Sequence, residues 1–194
     1  MSLGFYIDRN HMLQGPGVIH ALINPEATSQ PKIKPRTQIL HSQSGPSRTP
    51  WDRLVAFMRR SDITLECHFL VNLDGTVVQC MPTNVRADCN YKANPFAISY
   101  ETQDNGYPAN EKEPWTPAQA EALANVVAAV GHKYGIPYTS PANYLDAGVG
   151  YHSQFPEWSV YKGKTCPGAA RIRQMDWVRR RAAEVCACAP SASA

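Results

Sequence analysis

A turn sequence near the middle of the chain constrains the fold more than any other feature. Residues 72–75 read Asn-Leu-Asp-Gly, and they separate two β-rich runs, residues 67–71 and 76–80. Asp-Gly between two such runs is a strong signal for a hairpin. At least one pair of strands is therefore expected to be antiparallel.

Further strands alternate with amphipathic helices along the chain. Strands are predicted at residues 37–40 and 96–102, and each is followed by polar residues and glycine that are typical of turns. Helices are predicted to start at Thr49-Pro50, at the capping box Thr116-Pro117-Ala118-Gln119 and at Pro167-Gly168. Strands interleaved with helices, together with a hairpin, predict an α/β fold: a single domain with a mixed central β-sheet flanked by helices.

The length of the chain and the positions of its prolines and small residues divide it into three predicted segments. The 194 residues match one ordinary domain. Several prolines interrupt residues 1–35, which we expect to be an irregular segment packed on the domain formed by residues 36–186. Residues 187–194 are small and of low complexity, as in a flexible linker leading to a further module.

Charge, hydropathy and cysteine spacing restrict the classes of function. Lys and Arg number 19 against 16 Asp and Glu, and the net charge of +3 is too small to predict nucleic-acid binding. No apolar run approaches the roughly 18 residues of a membrane span, and the first ten residues lack the pattern of a secretory signal. The six cysteines form no CxxC pair, so free thiols are expected. We therefore expect a monomer without membrane insertion.

Five polar residues stand at predicted element ends, where functional groups usually collect. They are His41, Glu101, His152, Lys164 and Cys166. Two imidazoles and a thiolate suit a catalytic zinc site, because three protein ligands leave a fourth position open. Spacing alone does not select these residues.

Four other histidines compete for a ligand role, since any histidine can be structural or exposed. They are His11, His20, His68 and His132. His68 is the strongest rival, because it lies in a predicted strand beside Cys67. Cys67 itself has no activating base whose side chain points the same way.

The order of local motifs resembles one enzyme family, the zinc-dependent N-acetylmuramoyl-L-alanine amidases of the type-2 amidase and peptidoglycan-recognition-protein superfamily, which includes phage endolysins. The resemblance covers residues 38–185, most of the chain. Its motifs are Ile39-Leu40-His41-Ser42, Cys67-His68-Phe69-Leu70-Val71 with Asp74-Gly75-Thr76-Val77, Ala97-Ile98-Ser99-Tyr100-Glu101, Thr116-Pro117-Ala118-Gln119 and Lys164-Thr165-Cys166-Pro167-Gly168.

The resemblance implies one zinc ion with His41, His152 and Cys166 as its ligands. It also implies that Lys164 acts near the scissile carbonyl. Some phage amidases carry a catalytic tyrosine where this chain has Cys67, whereas another branch uses a glutamate at the position of Glu101. The resemblance therefore assigns the role of catalytic base to Glu101.

Four further residues are predicted to contact substrate, because amides and aromatic faces suit glycans and peptides. They are Asn105, Tyr107, Tyr151 and Trp158. The expected substrate is bacterial peptidoglycan.

The resemblance favours a phage endolysin domain that cleaves the amide bond between N-acetylmuramic acid and L-alanine. Such an enzyme is expected in the host cytoplasm before lysis and on the cell wall after release. The alternatives are a cytoplasmic amidase that recycles soluble muropeptides, a non-catalytic peptidoglycan-binding module, and a zinc peptidase that cuts within the stem peptide.

Overall fold

The computed structural model describes residues 4–23 and 30–188. Its strands are β1 (Tyr6–Ile7), β2 (Leu13–Gln14), β3 (Ile19–His20), β4 (Thr37–Ser42), β5 (Phe69–Val71), β6 (Val77–Gln79), β7 (Ala97–Thr102) and β8 (Gly148–Tyr151). Its α-helices are α1 (Trp51–Met58), α2 (Pro117–Tyr134), α3 (Ala169–Ile172) and α4 (Met175–Ala187). No helix within the described ranges has the length and hydropathy of a membrane span.

The central sheet is mixed, as predicted. Its strand order is β3-β6-β5-β7-β4-β8. Strands β5, β7, β4 and β8 run parallel to one another, β6 is antiparallel to β5, and β3 is parallel to β6. The short strands β1 and β2 form a separate antiparallel pair. The fold class predicted from the sequence is confirmed.

Successive side chains of each strand point to opposite faces of the sheet, so the sheet separates two hydrophobic clusters. One face packs against α2 and α4 and includes Leu40, Phe69 and Tyr100. The other face packs against α1 and includes Leu70 and Val78. Because neighbouring residues of a strand point to opposite faces, the residues next to Leu40 and Tyr100 point away from α2.

The turn at residues 72–75 and the start of α2 fit against each other. The Gly75 backbone N–H donates to the Asn72 carbonyl at 3.0 Å, and Gly75 has a φ of +87°. A Cβ at Gly75 would lie 3.0 Å from the Ala118 carbonyl oxygen, so glycine permits this close approach. The Thr116 side chain caps α2 by accepting from the Gln119 backbone N–H at 3.1 Å. The predicted hairpin and helix start are both confirmed.

A strand lies within residues 138–164, a stretch rich in Gly, Ser, Pro and aromatic residues whose pattern is typical of a loop. Strand β8 has the sequence Gly-Val-Gly-Tyr, whose glycines weaken the strand signal. A Cβ at Gly148 would approach the Thr139 carbonyl oxygen to 2.5 Å, and one at Gly150 would approach the Trp158 ring to 2.7 Å. The glycines of β8 are therefore required by its packing.

Smaller differences concern element boundaries. Strand β4 continues through Ser42. Helix α1 has Pro50, rather than Thr49, at its N-cap, and the single last helix that was predicted is two helices, α3 and α4. Strand β3 joins the sheet, so residues 1–35 are not irregular throughout. Helix α4 extends through Ala187, and the remainder of the predicted tail, residues 189–194, lies outside the described residues.

Candidate metal centre

Three adjacent parallel strands bring polar side chains together at their carboxyl ends. His41 on β4 is paired in register with Glu101 on β7, and Leu40 is paired with Tyr151 on β8. His152 directly follows Tyr151, so it lies beside His41. This register explains how residues more than a hundred positions apart in sequence meet on the sheet face opposite α2 and α4.

Cys166 completes a set of three potential metal ligands. Its sulfur accepts a hydrogen bond from the Ser42 backbone N–H at 3.3 Å, which ties the loop before α3 to the end of β4. One ligand atom each from His41, His152 and Cys166 lies within 4.8 Å of the other two. The two imidazole centroids are 4.2 Å apart. The donor set and its spacing fit a zinc ion held by three protein ligands with a fourth position open.

Burial keeps both imidazoles in the neutral form that metals require. The pKa of His41 lies well below its ordinary value because of desolvation and the proximity of His152. Burial and the nearby Lys164 lower the pKa of His152 to about 4. In the metal-free protein, burial and the neighbouring Glu101 raise the pKa of Cys166 to about 12. A bound cation would favour the thiolate of Cys166, since metal binding releases the thiol proton.

Asn90 fixes the orientation of the His41 ring. The Asn90 Oδ1 atom lies 2.7 Å from His41 Nε2, and Asn90 Nδ2 donates to Ser99 Oγ at 2.6 Å. Asn90 and Ser99 are both fully buried. The amide oxygen of Asn90 can only accept, so Nε2 carries the hydrogen and Nδ1 presents its lone pair to the metal centre.

Replacing Asn90 with Ala should weaken zinc binding by about 10-fold to 100-fold, because His41 loses the partner that fixes its tautomer and ring orientation. Competition with a chelating indicator measures the dissociation constant directly. Asn143→Ala is the matched control, since Asn143 lies on an exposed loop. An unchanged zinc affinity in Asn90→Ala would show that the hydrogen bond has no positioning role.

Glu101 is the buried carboxylate of the site. Its Oε1 atom lies 3.7 Å from His41 Nδ1, and its Oε2 atom has no hydrogen-bond partner among the described residues. Glu101 is only 7% exposed. Desolvation, reinforced by the charge of Asp104, raises the pKa of Glu101 to about 8. Such a carboxylate is poised to take up and release protons near neutral pH.

Cys89 is a neighbour of the site that the sequence patterns did not reveal. Its sulfur lies 3.5 Å from Glu101 Oε1 and 3.8–3.9 Å from the two ring nitrogens of His41. Cys89 and Asn90 belong to an irregular segment between β6 and β7. A segment without periodicity gives no sign of which strand it will contact, so sequence reasoning could not find either residue.

Lys164 lies in the loop before α3 and borders a groove of about 340 Å³ together with His152 and Cys89. Its ammonium group lies 5.5 Å from the centre of the Tyr161 ring. The side chain is exposed, yet its charge contributes to the pKa shifts of His152, Glu101 and Cys166. Lys164 is therefore accessible to a substrate in the groove and close enough to act on the site.

Of the four predicted substrate contacts, Tyr107 has the most exposed side chain near the site. Tyr107 is 71% exposed and lines a cleft with Lys164 and Cys166. The Asn105 side chain instead accepts from Arg48 at 2.8 Å and donates to Glu113 at 2.6 Å. Its amide is therefore already occupied by other protein groups.

The other two predicted contacts are packing residues. Tyr151 packs against the core on the face of α2 and α4, because it alternates with His152 along the chain. The Trp158 indole is fully buried, donates to the Tyr144 carbonyl at 3.0 Å and packs edge-on against Phe155. Packing accounts for the position of both rings, and Trp158 also forms part of the wall of the groove that Lys164, His152 and Cys89 border. Contact of either ring with substrate stays a prediction.

The strongest rival ligand has a structural role. His68 is fully buried; its Nε2 lies 2.8 Å from the Val85 carbonyl, and its Nδ1 accepts from the Ser99 backbone N–H at 3.1 Å. Both ring nitrogens are therefore used within the fold. Cys67 packs in the core beside Met58, with the two sulfurs 3.8 Å apart. The position of Cys67 does not contribute a side chain to the metal centre.

Solved structures with similar folds include several bacterial and phage enzymes. The N-acetylmuramoyl-L-alanine amidase LysC from Clostridium intestinale URNW is 19% identical, with a TM-score of 0.61 over 86% of this chain and 97% of its own. The hydrolase AmiA from Staphylococcus aureus is 14% identical, with a TM-score of 0.65 over 89% and 84% of the two chains. The Ph2119 endolysin of a Thermus scotoductus bacteriophage is 17% identical, with a TM-score of 0.57 over 84% and 98%.

The family assignment rests on sequence as well as on fold. No curated protein sequence matches this chain. The sequence model of the family described as N-acetylmuramoyl-L-alanine amidase matches residues 18–169, which include β3 through β8 and all three potential ligands. The chain therefore belongs to the N-acetylmuramoyl-L-alanine amidase family of peptidoglycan amidases.

Proposed function

We propose that this chain is a zinc-dependent enzyme that hydrolyses the amide bond between N-acetylmuramic acid and L-alanine, with His41, His152 and Cys166 as zinc ligands and Glu101 as the base. One observation carries the proposal: a buried carboxylate with an unpartnered oxygen lies beside two neutral imidazoles and a thiol at zinc-binding distances. A structural zinc site needs no such carboxylate. The arrangement therefore favours catalysis over binding alone.

The division of labour follows from the chemistry of the groups. A bound zinc ion supplies a Lewis acid for the scissile carbonyl and lowers the pKa of a water molecule to about 7. Glu101 accepts the proton of the attacking water and delivers it to the departing amine nitrogen. In the metal-free protein, burial raises the pKa of Glu101 to about 8, and the charge of a bound zinc ion would lower this pKa and favour the carboxylate that accepts the proton.

Lys164 stabilises the negative charge that develops on the carbonyl oxygen. It has three donors on a flexible stem and lies at the rim of the groove near His152. Because its side chain is exposed, solvent weakens its effect relative to a buried donor.

Replacing Lys164 with Ala should lower kcat by about 10-fold to 100-fold, at the lower end of what a buried oxyanion donor contributes. Lys162→Ala is the matched control, because Lys162 is also exposed in the same loop. Steady-state hydrolysis of a defined muropeptide measures kcat for each variant. Equal kcat values for the two variants would remove Lys164 from the mechanism.

We further propose that the enzyme acts in lysis of a bacterial host by a phage, as a monomer made in the host cytoplasm that reaches the wall upon release. The similarity to the Ph2119 endolysin supports the lytic role, and the match to a peptidoglycan amidase family supports the substrate. The alternative is a recycling amidase, whose substrates are soluble muropeptides.

Comparing two substrates tests the lytic role. An endolysin domain is expected to release peptides from intact, insoluble sacculi at a rate similar to, or above, its rate on soluble muropeptides at equal bond concentration. A recycling enzyme would cleave only the soluble muropeptides. Zinc-loaded protein that binds sacculi and cleaves neither substrate would indicate a recognition module.

A further inference from the structure

We propose that Cys89, Glu101 and His41 form a second metal position that overlaps the first at His41 and takes a thiophilic divalent cation such as Zn²⁺ or Co²⁺. The three residues offer one sulfur, one carboxylate oxygen and one ring nitrogen, all within 4.8 Å of one another. His41 is the one residue that this set shares with the first set of His41, His152 and Cys166. Metal binding at this position does not require the catalytic role assigned to Glu101, whereas its effect on activity rests on the proposed function.

The spacing of the three ligand atoms suits a tetrahedral ion. Zinc bonds of about 2.0–2.3 Å at tetrahedral angles place ligand atoms about 3.3–3.6 Å apart. The observed separations are 3.5 Å from Cys89 Sγ to Glu101 Oε1, 3.7 Å from Glu101 Oε1 to His41 Nδ1, and 3.9 Å from Cys89 Sγ to His41 Nδ1. Because Cys89 Sγ lies 3.8 Å from His41 Nε2 as well, the Cys89 side chain must rotate toward Nδ1 before all three atoms can bind one ion.

The burial of Glu101 is an independent observation that points to a cation. Its Oε2 atom is buried and has no hydrogen-bond partner among the described residues. A buried polar atom without a partner is costly, and native structures usually satisfy such atoms with protein groups, water or ions. A metal at the second position would remove this cost if it bound both oxygens of the Glu101 carboxylate.

Occupation of the two positions is mutually exclusive. The hydrogen bond to Asn90 occupies His41 Nε2, so Nδ1 is the nitrogen left for a metal, and it has a single lone pair. A metal at the first position leaves the Glu101 carboxylate free to act as a base. A metal at the second position binds that carboxylate, so the enzyme is inactive while the ion stays there. Cys89 thus provides a second metal-binding position at which the bound ion does not support hydrolysis.

Cobalt titration of ligand variants tests the second position, because a thiolate bound to Co²⁺ gives a near-ultraviolet charge-transfer band. In His152→Ala/Cys166→Ala, which lacks two ligands of the first position, we expect one Co²⁺ per chain with this band. Adding Cys89→Ala to that variant should abolish the band and weaken Co²⁺ binding at least 10-fold. No band in the double variant, or a band that survives in the triple variant, would overturn the proposal.

A second pair of variants with fewer substitutions tests the proposal if these double and triple variants do not fold. Cys166→Ala retains both histidines and should still show the thiolate band, whereas Cys89→Ala/Cys166→Ala should not. A Cys166→Ala protein that binds Co²⁺ without the band would overturn the proposal. Zinc-dependent hydrolysis by the unmodified chain is measured separately, so failure of the second position leaves the proposed function intact.

Discussion

Replacing Glu101 with Gln should reduce peptidoglycan hydrolysis by about 10²-fold to 10⁴-fold in kcat, the usual contribution of a general acid–base group. Gln retains the shape of the side chain and cannot transfer the proton. Zinc bound to His41, His152 and Cys166 should remain, because Glu101 is not a ligand at that position. Hydrolysis of a defined muropeptide and zinc content of the same preparation are the two measurements.

A remote carboxylate provides the control for the Glu101 variant. Glu184→Gln changes an exposed glutamate on α4 that is paired with Arg181, and its kcat should be unaffected. Substantial activity in Glu101→Gln with zinc bound would assign the base to another group. Loss of zinc from Glu101→Gln would instead mean that Glu101 acts as a ligand.

The raised pKa of Glu101 has a consequence for stability that does not require activity. Folding raises this pKa from 4.5 to about 8, so the folded metal-free protein binds the proton more tightly than the unfolded chain. The stability that this group contributes is fully present below pH 4.5 and is lost as pH rises through about 8. We therefore expect Glu101→Gln to melt several degrees above the unmodified protein at pH 8 in the absence of metal, and thermal melts at pH 5 and pH 8 test this.

Replacing His152 with Ala should abolish activity, with a loss of at least about 10³-fold, because one of three ligands that hold the zinc in its productive position is gone. Zinc affinity should fall at least about 10-fold. The remaining binding reflects His41 with Cys166 or, if the second position exists, with Cys89 and Glu101. Activity assays at saturating zinc separate a loss of affinity from a loss of productive geometry.

His132→Ala is the matched control for this variant. His132 is exposed on α2, on the opposite side of the sheet from the ligand set, and its Nδ1 lies 3.7 Å from the Cys186 sulfur. This variant should retain both activity and zinc affinity. An active His152→Ala enzyme would contradict the assignment of His152 as a ligand.

Local sequence signals were sufficient for most of the fold. The Asp-Gly turn, the Thr116 cap and the glycine after α2 act through contacts within a few residues, so they can be recognised without the tertiary structure. Strand β8 could not be recognised in this way. Its two glycines are explained only by the approach of Thr139 and Trp158, which are distant groups in the folded chain.

The site shows the same division between local and long-range information. The five polar residues of the candidate site were selected because they stand at element ends and match a family pattern. The register of β7, β4 and β8 explains how His41, Glu101 and His152 meet, and the hydrogen bond from Ser42 to Cys166 brings in the loop before α3. Asn90 and Cys89 reach His41 from an irregular segment, so only the tertiary structure reveals them. The burial of Trp158 could not be predicted either, because a loop aromatic gives no sequence sign of it.

Identification of the bond that is cleaved tests the central claim most directly. Metal-free protein is incubated with purified peptidoglycan, with and without one equivalent of zinc, and the new amino termini are identified by labelling and mass spectrometry. We expect zinc-dependent appearance of peptides that begin with L-alanine and carry no muramic acid. Zinc-loaded protein that produces no such termini, or that produces amino termini within the stem peptide, would contradict the account.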